Sequence, residues 1–208
     1  MTFTFRPLED ADLPMLHGWL NEPGVVRWWE GDDVSWEAVV RDYDPASGDS
    51  TEHWIASLDG TDVGWAQCYP AVDEPEETEP WFAFGIDQTA AGIDYLVGDP
   101  DVRGRGIGSA MIRAFVTDIV FGRHPEWTQA CAGPYLANEA SWRALARGGF
   151  RFVGMIDDDD GPCRLMAIDR GVVVGDQAQV RTRSSTASAS GPSPTSDVSD
   201  AGTRRDAT

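Results

Sequence analysis

Six residues carrying a single carboxylate, Gly92-Ile93-Asp94-Tyr95-Leu96-Val97, run through a short loop into Arg103-Gly104-Arg105-Gly106-Ile107-Gly108. The first stretch reads as a strand and the second as a glycine-rich loop that opens a helix. Beyond the loop, Ile107, Met111, Phe115 and Ile119 recur at helical spacing and make an apolar stripe. Gly106 and Gly108 let backbone approach a ligand with no Cβ in the way. The N–H groups of a helix's first turn lack partners inside the helix, and their dipoles point outward. Strand, loop and helix start therefore form a candidate pyrophosphate site; the plain alternative is a turn into a helix.

Three nucleotide loops share this outline. A P-loop ends in Gly-Lys-Ser/Thr, and this chain has no lysine. The dinucleotide fingerprint Gly-x-Gly-x-x-Gly fails because its third glycine falls on Ser109. What remains is Arg-x-x-Gly-x-Gly, at Arg103, Gly106 and Gly108.

Other candidate elements surround this centre. Thr2 to Leu8 alternates like a first strand, and Leu13, Leu16, Trp19 and Leu20 mark a helix that stops at Asn21-Glu22-Pro23-Gly24. Of the adjacent Trp28 and Trp29, one lines a groove or both pack under a loop. Ser35 opens a short helix to about Tyr43. Residues 52–58 and 63–69 are strand-like, with Asp59-Gly60 as a hairpin signal. Gln67 and Tyr69 share one face of the second strand; that face meets either a cleft or solvent. Residues 73–80 read as an acidic loop, either solvated or a flap over a cationic substrate. Gly85-Ile86-Asp87 imitates Gly92-Ile93-Asp94, but only Asp94 lies at the right distance from the glycine loop. Residues 127–131 read as a strand. A helix starts at Asn138 as N-cap and ends at Gly148-Gly149. Residues 150–155 and 163–168 are two last strands around an Asp157–Gly161 turn.

Residues 171–208 are rich in Ser, Thr, Ala, Gly and Pro and read as a disordered low-complexity tail after one domain of residues 1–170. The tail's four arginines balance its four aspartates, so the formal charge of −19 sits entirely on the domain. That charge argues against nucleic acid as a partner and fits a cationic substrate in an acidic cleft, or simple solubility. Three cysteines and three histidines show no paired spacing, so neither disulfides nor a metal is expected. With no signal peptide and no long apolar run, a soluble cytoplasmic protein with no membrane partner is the expectation.

The Arg-x-x-Gly-x-Gly loop, taken with this order of elements over residues 1–170, resembles the GNAT acyltransferases. Trp19-Leu20-Asn21, Val26-Arg27-Trp28-Trp29, Gly64-Trp65-Ala66-Gln67-Cys68-Tyr69, Gly92-Ile93-Asp94 ten residues before Gly104, and Asn138 twelve before Phe150 resemble the aminoglycoside 6′-N-acetyltransferases more specifically. The resemblance implies an α+β (α/β/α) sandwich around a mixed sheet of about seven strands. It implies acetyl-coenzyme A as co-substrate, and an acceptor amine on a polycationic small molecule, most simply the 6′-amine of an aminoglycoside.

By the same resemblance Leu96, Val97 and Gly98 pair with the pantetheine arm. Arg103, Gly104, Arg105, Gly106, Ile107 and Gly108 hold the pyrophosphate, and Asn138 contacts the cofactor. Asp94 sits beside the amine, with Trp29, Gln67 and Tyr69 near the sugar rings. The chain departs from the family at Leu145, where many members carry a tyrosine acid, and at Gly133, where many carry an aspartate. A GNAT enzyme for another amine and a non-catalytic acyl-coenzyme A or drug-binding module stay open, as do monomer and homodimer.

Overall fold

The computed structural model describes residues 1–29, 33–158 and 161–173. Strand β1 (Phe3–Pro7) leads into helices α1 (Leu13–Leu20), α2 (Pro23–Val26) and α3 (Trp36–Asp42). The hairpin β2 (Glu52–Leu58) and β3 (Thr61–Pro70) follows, then α4 (Pro75–Phe82) and β4 (Ala91–Val97). Helix α5 (Ile107–Phe115) continues through a π-helical turn at Val116–Val120 into α6 (Phe121–Arg123). The chain then forms β5 (Gln129–Ala132), α7 (Glu139–Gly148), β6 (Arg151–Asp158) and β7 (Gly161–Asp169).

The seven strands form one mixed sheet in the order β1-β2-β3-β4-β5-β7-β6. All neighbours are antiparallel except β4 and β5, which run parallel and pair only at Ala91 with Ala130 and Gly92 with Cys131. Past Gly92 the two strands part, leaving one edge of β4 without a strand partner.

The parted edge has a definite backbone register. Ala71 N–H donates to Ala90 C=O at 2.9 Å, and Gly98 N–H donates to Val63 C=O at 2.9 Å. An antiparallel pair alternates bonded and non-bonded positions. Even-numbered residues of β4 therefore turn their backbone groups to β3, and Ile93, Tyr95 and Val97 turn theirs to the open edge.

Local chemistry explains the connections. Asp59-Gly60 is a two-residue turn with φ of 50° and 88°, the doubly left-handed geometry that Asp-Gly tolerates. Ser35 Oγ accepts from Ala38 N–H at 3.3 Å and starts α3. Gly149 closes α7 at φ 102°.

Three expectations are corrected. Residues 75–82 are a helix rather than part of an acidic loop: Pro75 takes the first helical turn, Thr78 Oγ bonds Glu74 C=O at 2.9 Å, and buried Trp81 anchors the far end. The chain does not simply stop helically at Asn21–Gly24, because Glu22 caps α2 through Gly24 N–H at 3.0 Å. The folded unit also runs past residue 170. Residues 170–173 make a helical turn, Val173 is 2% exposed within the core, and Arg170 Nε donates to Trp127 C=O at 2.7 Å. The rest of the proposed tail, and Asp159-Asp160 of the proposed turn, lie outside the described residues.

The stripe is confirmed: Ile107, Met111 and Phe115 of α5 and Ile119 of the π-helical turn are all buried. Among the described residues no helix is long and apolar enough to cross a membrane.

Candidate active site

Asp94 and Gln67 face each other across β4 and β3, and Gln67 Nε2 donates to Asp94 Oδ2 at 2.8 Å. Two positions along the same face, Tyr69 lies opposite Gly92, and a Cβ on Gly92 would stand 2.2 Å from the tyrosine ring. Glycine is needed there so that the ring can lie flat on the strand. Tyr69 is 2% exposed and its hydroxyl donates to Glu77 Oε2 at 3.0 Å. Burial, with the nearby charges of Asp94 and Glu77, pushes its phenol well above the usual range and keeps it protonated. His53, opposite Gln67 on β2, is pushed down by burial and stays neutral.

These side chains border two adjacent cavities. One, of about 500 Å³, is lined by Gln67, Asp94, Glu77, Trp29 and Gly133 among others. The second, of about 620 Å³, shares Trp29, Tyr43, Gln67 and Glu77 with it and adds Asp33, Asp42, Asp49 and Glu74. Arg41 also lines it but is bound to Asp42 at 2.6 Å. The combined wall is rich in carboxylate, which suits a ligand with several ammonium groups.

A third cavity, of about 460 Å³, lies over the glycine loop. Leu96, Val97, Arg103, Gly104, Gly106 and Gly108 line it, as does the α7 face carrying Asn138, Ser141, Arg143 and Arg147. Gly104 and Gly106 take φ of 77° and 80°, with nothing within 4 Å of an added Cβ. The loop is therefore strained for any side chain yet open in space, as a phosphate cradle at a helix start requires. The groups present fit a pyrophosphate-bearing cofactor: free first-turn N–H groups on α5, and two arginines across the cleft.

Trp28, Trp29, Tyr95, Asn138 and Ser141 line both this cleft and the Asp94 cavity. The two therefore share a wall that includes Tyr95 of the parted edge of β4. Asn138 Oδ1 accepts from Ser141 N–H at 3.2 Å and caps α7, and the hydroxyls of Tyr95 and Ser141 lie 2.7 Å apart.

The structure thus gathers most of the residues that the sequence singles out, with refinements. Arg105 is exposed and does not line the cleft, and Ile107 is 6% exposed in the core. Each is left with its backbone to offer. Arg103 is engaged by the protein: its guanidinium donates to Val97 C=O at 2.8 Å and Gly98 C=O at 3.0 Å, and pairs with Glu22.

Of Leu96, Val97 and Gly98, only Val97 turns backbone groups to the open edge, where Ile93 and Tyr95 do the same. Gly98 has a different reason to be glycine: a Cβ there would stand 2.2 Å from the Trp19 ring. Leu145 is fully buried in the core and borders none of these cavities. On the cleft side, α7 turns Ser141 and Ala144 to the cavity. Asp87, the decoy, is spent on a turn through Thr89 N–H at 2.8 Å.

Sequence reasoning missed Tyr95 and Ser141, and reached Glu77 only as part of the acidic stretch 73–80. Strand alternation points Tyr95 away from Asp94, and nothing in one dimension shows that the strand edge is open. Outside the site, Glu52, Cys68 and His124 bring potential ligand atoms within 4.8 Å of one another, where no metal was expected. His124 Nε2 and Glu52 Oε1 are 3.1 Å apart, and burial pushes the Cys68 thiol far up.

Comparison with known proteins agrees with this geometry. Residues 9–158 match the family model described as an acetyltransferase (GNAT) domain. The chain is 32% identical over 185 residues to an aminoglycoside N(6′)-acetyltransferase type 1 of Klebsiella pneumoniae, covering 87% of each. It is 26% identical over 171 residues to the lysine N-acyltransferase MbtK of a Mycobacterium species, covering 81% of this chain and 67% of that protein. Among solved structures, AAC(6′)-Ib with paromomycin and acetyl-coenzyme A superposes with a TM-score of 0.70 at 31% identity, covering 88% of this chain and 98% of that one. AAC(6′)-Ib with coenzyme A and kanamycin gives 0.69 at 31% identity, covering 88% and 99%. By these matches and by its parted sheet, the chain belongs to the GNAT acetyltransferases, in the branch that holds the aminoglycoside N(6′)-acetyltransferases.

Proposed function

We propose that this protein transfers acetyl from acetyl-coenzyme A to a primary amine of a polycationic small molecule, the 6′-amine of an aminoglycoside. The observation that carries this reading is the position of Asp94. Its carboxylate lines the acidic cavity, one residue along β4 from Tyr95, which lines both that cavity and the cleft over the glycine loop. The solved relatives with paromomycin, kanamycin and acetyl-coenzyme A or coenzyme A support the same pairing of ligands.

The residues divide the work. Gly104, Gly106, Gly108 and the start of α5 hold the pyrophosphate, with Arg143 and Arg147 facing the same cleft. Arg103 keeps the loop folded against β4. Asn138 and the open-edge backbone of Ile93, Tyr95 and Val97 align the rest of the cofactor, which when bound supplies an activated acetyl group. Trp29 and Gln67 border the acceptor, and Tyr69 stiffens that wall through Glu77.

An alkyl amine with a pKa near ~10 arrives as ammonium. Asp94 holds it by charge, fixed in direction by Gln67, and takes its proton directly or through water. Holding the ammonium in place is its larger contribution. The open-edge N–H groups of β4 are the donors available to a developing oxyanion.

The test is an acetyl-transfer screen of purified protein against aminoglycosides, polyamines and lysine derivatives, following thiol release and the mass and site of the product. Acetylation at the 6′-amine supports the reading. Transfer only to polyamines or to lysine side chains would replace the acceptor, and no transfer to any amine would sink the enzyme reading.

A further inference from the structure

We propose that Glu52, Cys68 and His124 form a binding site for one zinc ion on the face of the sheet opposite Gln67 and Asp94. The inference is independent of the acetyl-transfer reading. A carboxylate, a thiol and an imidazole converge here, with their ligand atoms all within 4.8 Å of one another. Carboxylate oxygen, sulfur and ring nitrogen are the donors that zinc takes.

The fold builds the group from three elements. Glu52 of β2 and Cys68 of β3 are register partners, so their side chains leave the sheet on one face. Gln67, one residue before Cys68, points to the other face with Asp94. His124 follows α6, its carbonyl accepts from Arg170 and from Trp127 N–H, and its ring stacks on Trp127 at 3.8 Å.

Two of the ligands are oriented by outer groups. Glu52 Oε2 accepts from Trp54 Nε1 at 3.2 Å, which leaves Oε1 facing the imidazole. His124 Nδ1 lies 3.4 Å from Glu126 Oε1, a carboxylate–histidine arrangement that puts the free lone pair on Nε2. That Nε2 is buried and makes no hydrogen bond, although Glu52 Oε1 is 3.1 Å away. With Nδ1 protonated toward Glu126, two acceptor atoms face each other, and a cation between them removes the conflict. A metal ion suits the geometry better than a proton does, because tetrahedral ligands meet at an angle rather than along one line.

Cys68 completes the set. It is fully buried, so its thiolate forms only beside an opposite charge, which zinc supplies. The sulfur–hydrogen bond breaks, sulfur bonds the metal through the freed electron pair, and the proton goes to water. Glu52 also lines a cavity of about 270 Å³, which gives an ion its way in and a water for the fourth position. Arg123 lines the same cavity, with its guanidinium over the Trp54 ring at 5.0 Å. It opposes the ion, and Glu52, Glu126 and the thiolate together outweigh it. Bound there, the ion ties β2, β3 and the end of α6 together behind Gln67, a stabilising role with no part in the chemistry at Asp94.

The test uses the full chain, untagged and freed of metal by a chelator, with Zn²⁺ and Co²⁺ as probes. Calorimetry is expected to show one tight Zn²⁺ per chain with release of a proton. Zn²⁺ at about a hundredfold over Kd should raise Tm by about 5–10 °C. Co²⁺ should give a sulfur-to-metal charge-transfer band, which Cys68→Ser abolishes. His124→Gln and Glu52→Gln should weaken Zn²⁺ binding by on the order of 10²-fold or more, and Glu126→Gln by about tenfold. His17→Gln, at a histidine on α1, should change nothing. Where Cys68→Ser fails to fold, loss of the band in His124→Gln decides the matter. No thiolate band in the wild type overturns the inference. So does Zn²⁺ binding that survives both Cys68→Ser and His124→Gln, which assigns the ion to acidic groups elsewhere on the chain.

Discussion

Gln67 and Asp94 are register partners on β3 and β4, and the amide of one holds the carboxylate of the other at 2.8 Å. The bond fixes which Asp94 oxygen turns to the cavity. Replacing Gln67 with leucine keeps the volume and removes the donor. The expected result is a fall in kcat/KM for the amine of about tenfold, with KM for acetyl-coenzyme A unchanged. Steady-state kinetics on both substrates checks it.

Asp94→Asn keeps shape and most hydrogen bonds but removes the charge that holds an ammonium and the base that relieves it. Activity toward the amine is expected to fall by on the order of 10²-fold. Coenzyme A affinity by calorimetry should stay within about twofold, since the glycine loop binds it by other means.

Much of this was legible in one dimension because the strongest signals were local. The Asp59-Gly60 turn, the Ser35 and Asn138 caps and the α5 stripe each need only a few neighbouring residues. The parting of β4 from β5 does not. It depends on β5 pairing with β4 at only two positions, which no short motif declares. That is why Tyr95, next to Asp94 on β4, was not seen as lining both cavities. Residues 75–82 show the opposite failure. Their charge suggested a loop, while Pro75 at the helix start and Trp81 in the core decided for a helix.

Arg103 separates two roles that the sequence merges. Its guanidinium is committed to Val97, Gly98 and Glu22 and is 28% exposed, so its contribution is to the loop's fold. Arg103→Met should cost roughly 2–3 kcal/mol of stability, lowering Tm by about 5–10 °C, with cofactor binding weakened only as far as the loop loosens. A direct phosphate contact would do the reverse, weakening coenzyme A binding strongly with Tm unmoved.

Gly133 lines the amine cavity with nothing within 4 Å of an added Cβ and no left-handed φ. An aspartate fits there and adds a carboxylate to an already acidic wall. Gly133→Asp is expected to lower KM for a polycationic amine by about two- to fivefold. Raising the salt concentration should erase the gain, since partly exposed charges are screened. A higher KM at low salt would show that the cavity has no room for the new group.

Away from the site, Asp12 ties the N-terminal strand to the first helical segment. It accepts from Arg6 Nη2 at 2.8 Å and from Glu9 N–H at 3.0 Å, and Arg6 also reaches Asp62 at 2.9 Å. The Arg6 bonds hold the Asp12 carboxyl below its ordinary value of 3.8, against the opposing effect of burial. A lowered folded-state value means that the unfolded chain binds the proton more tightly, so stability rises with pH. The contribution is complete above that ordinary value and is lost as pH falls through the lower folded one. Asp12→Asn should therefore lower Tm by roughly 3–6 °C at neutral pH. The gap from wild type should narrow below about pH 4 and close at the most acid end that the fold survives. Thermal unfolding of both proteins across that range measures it, and a constant gap would mean that Asp12 acts through packing rather than charge.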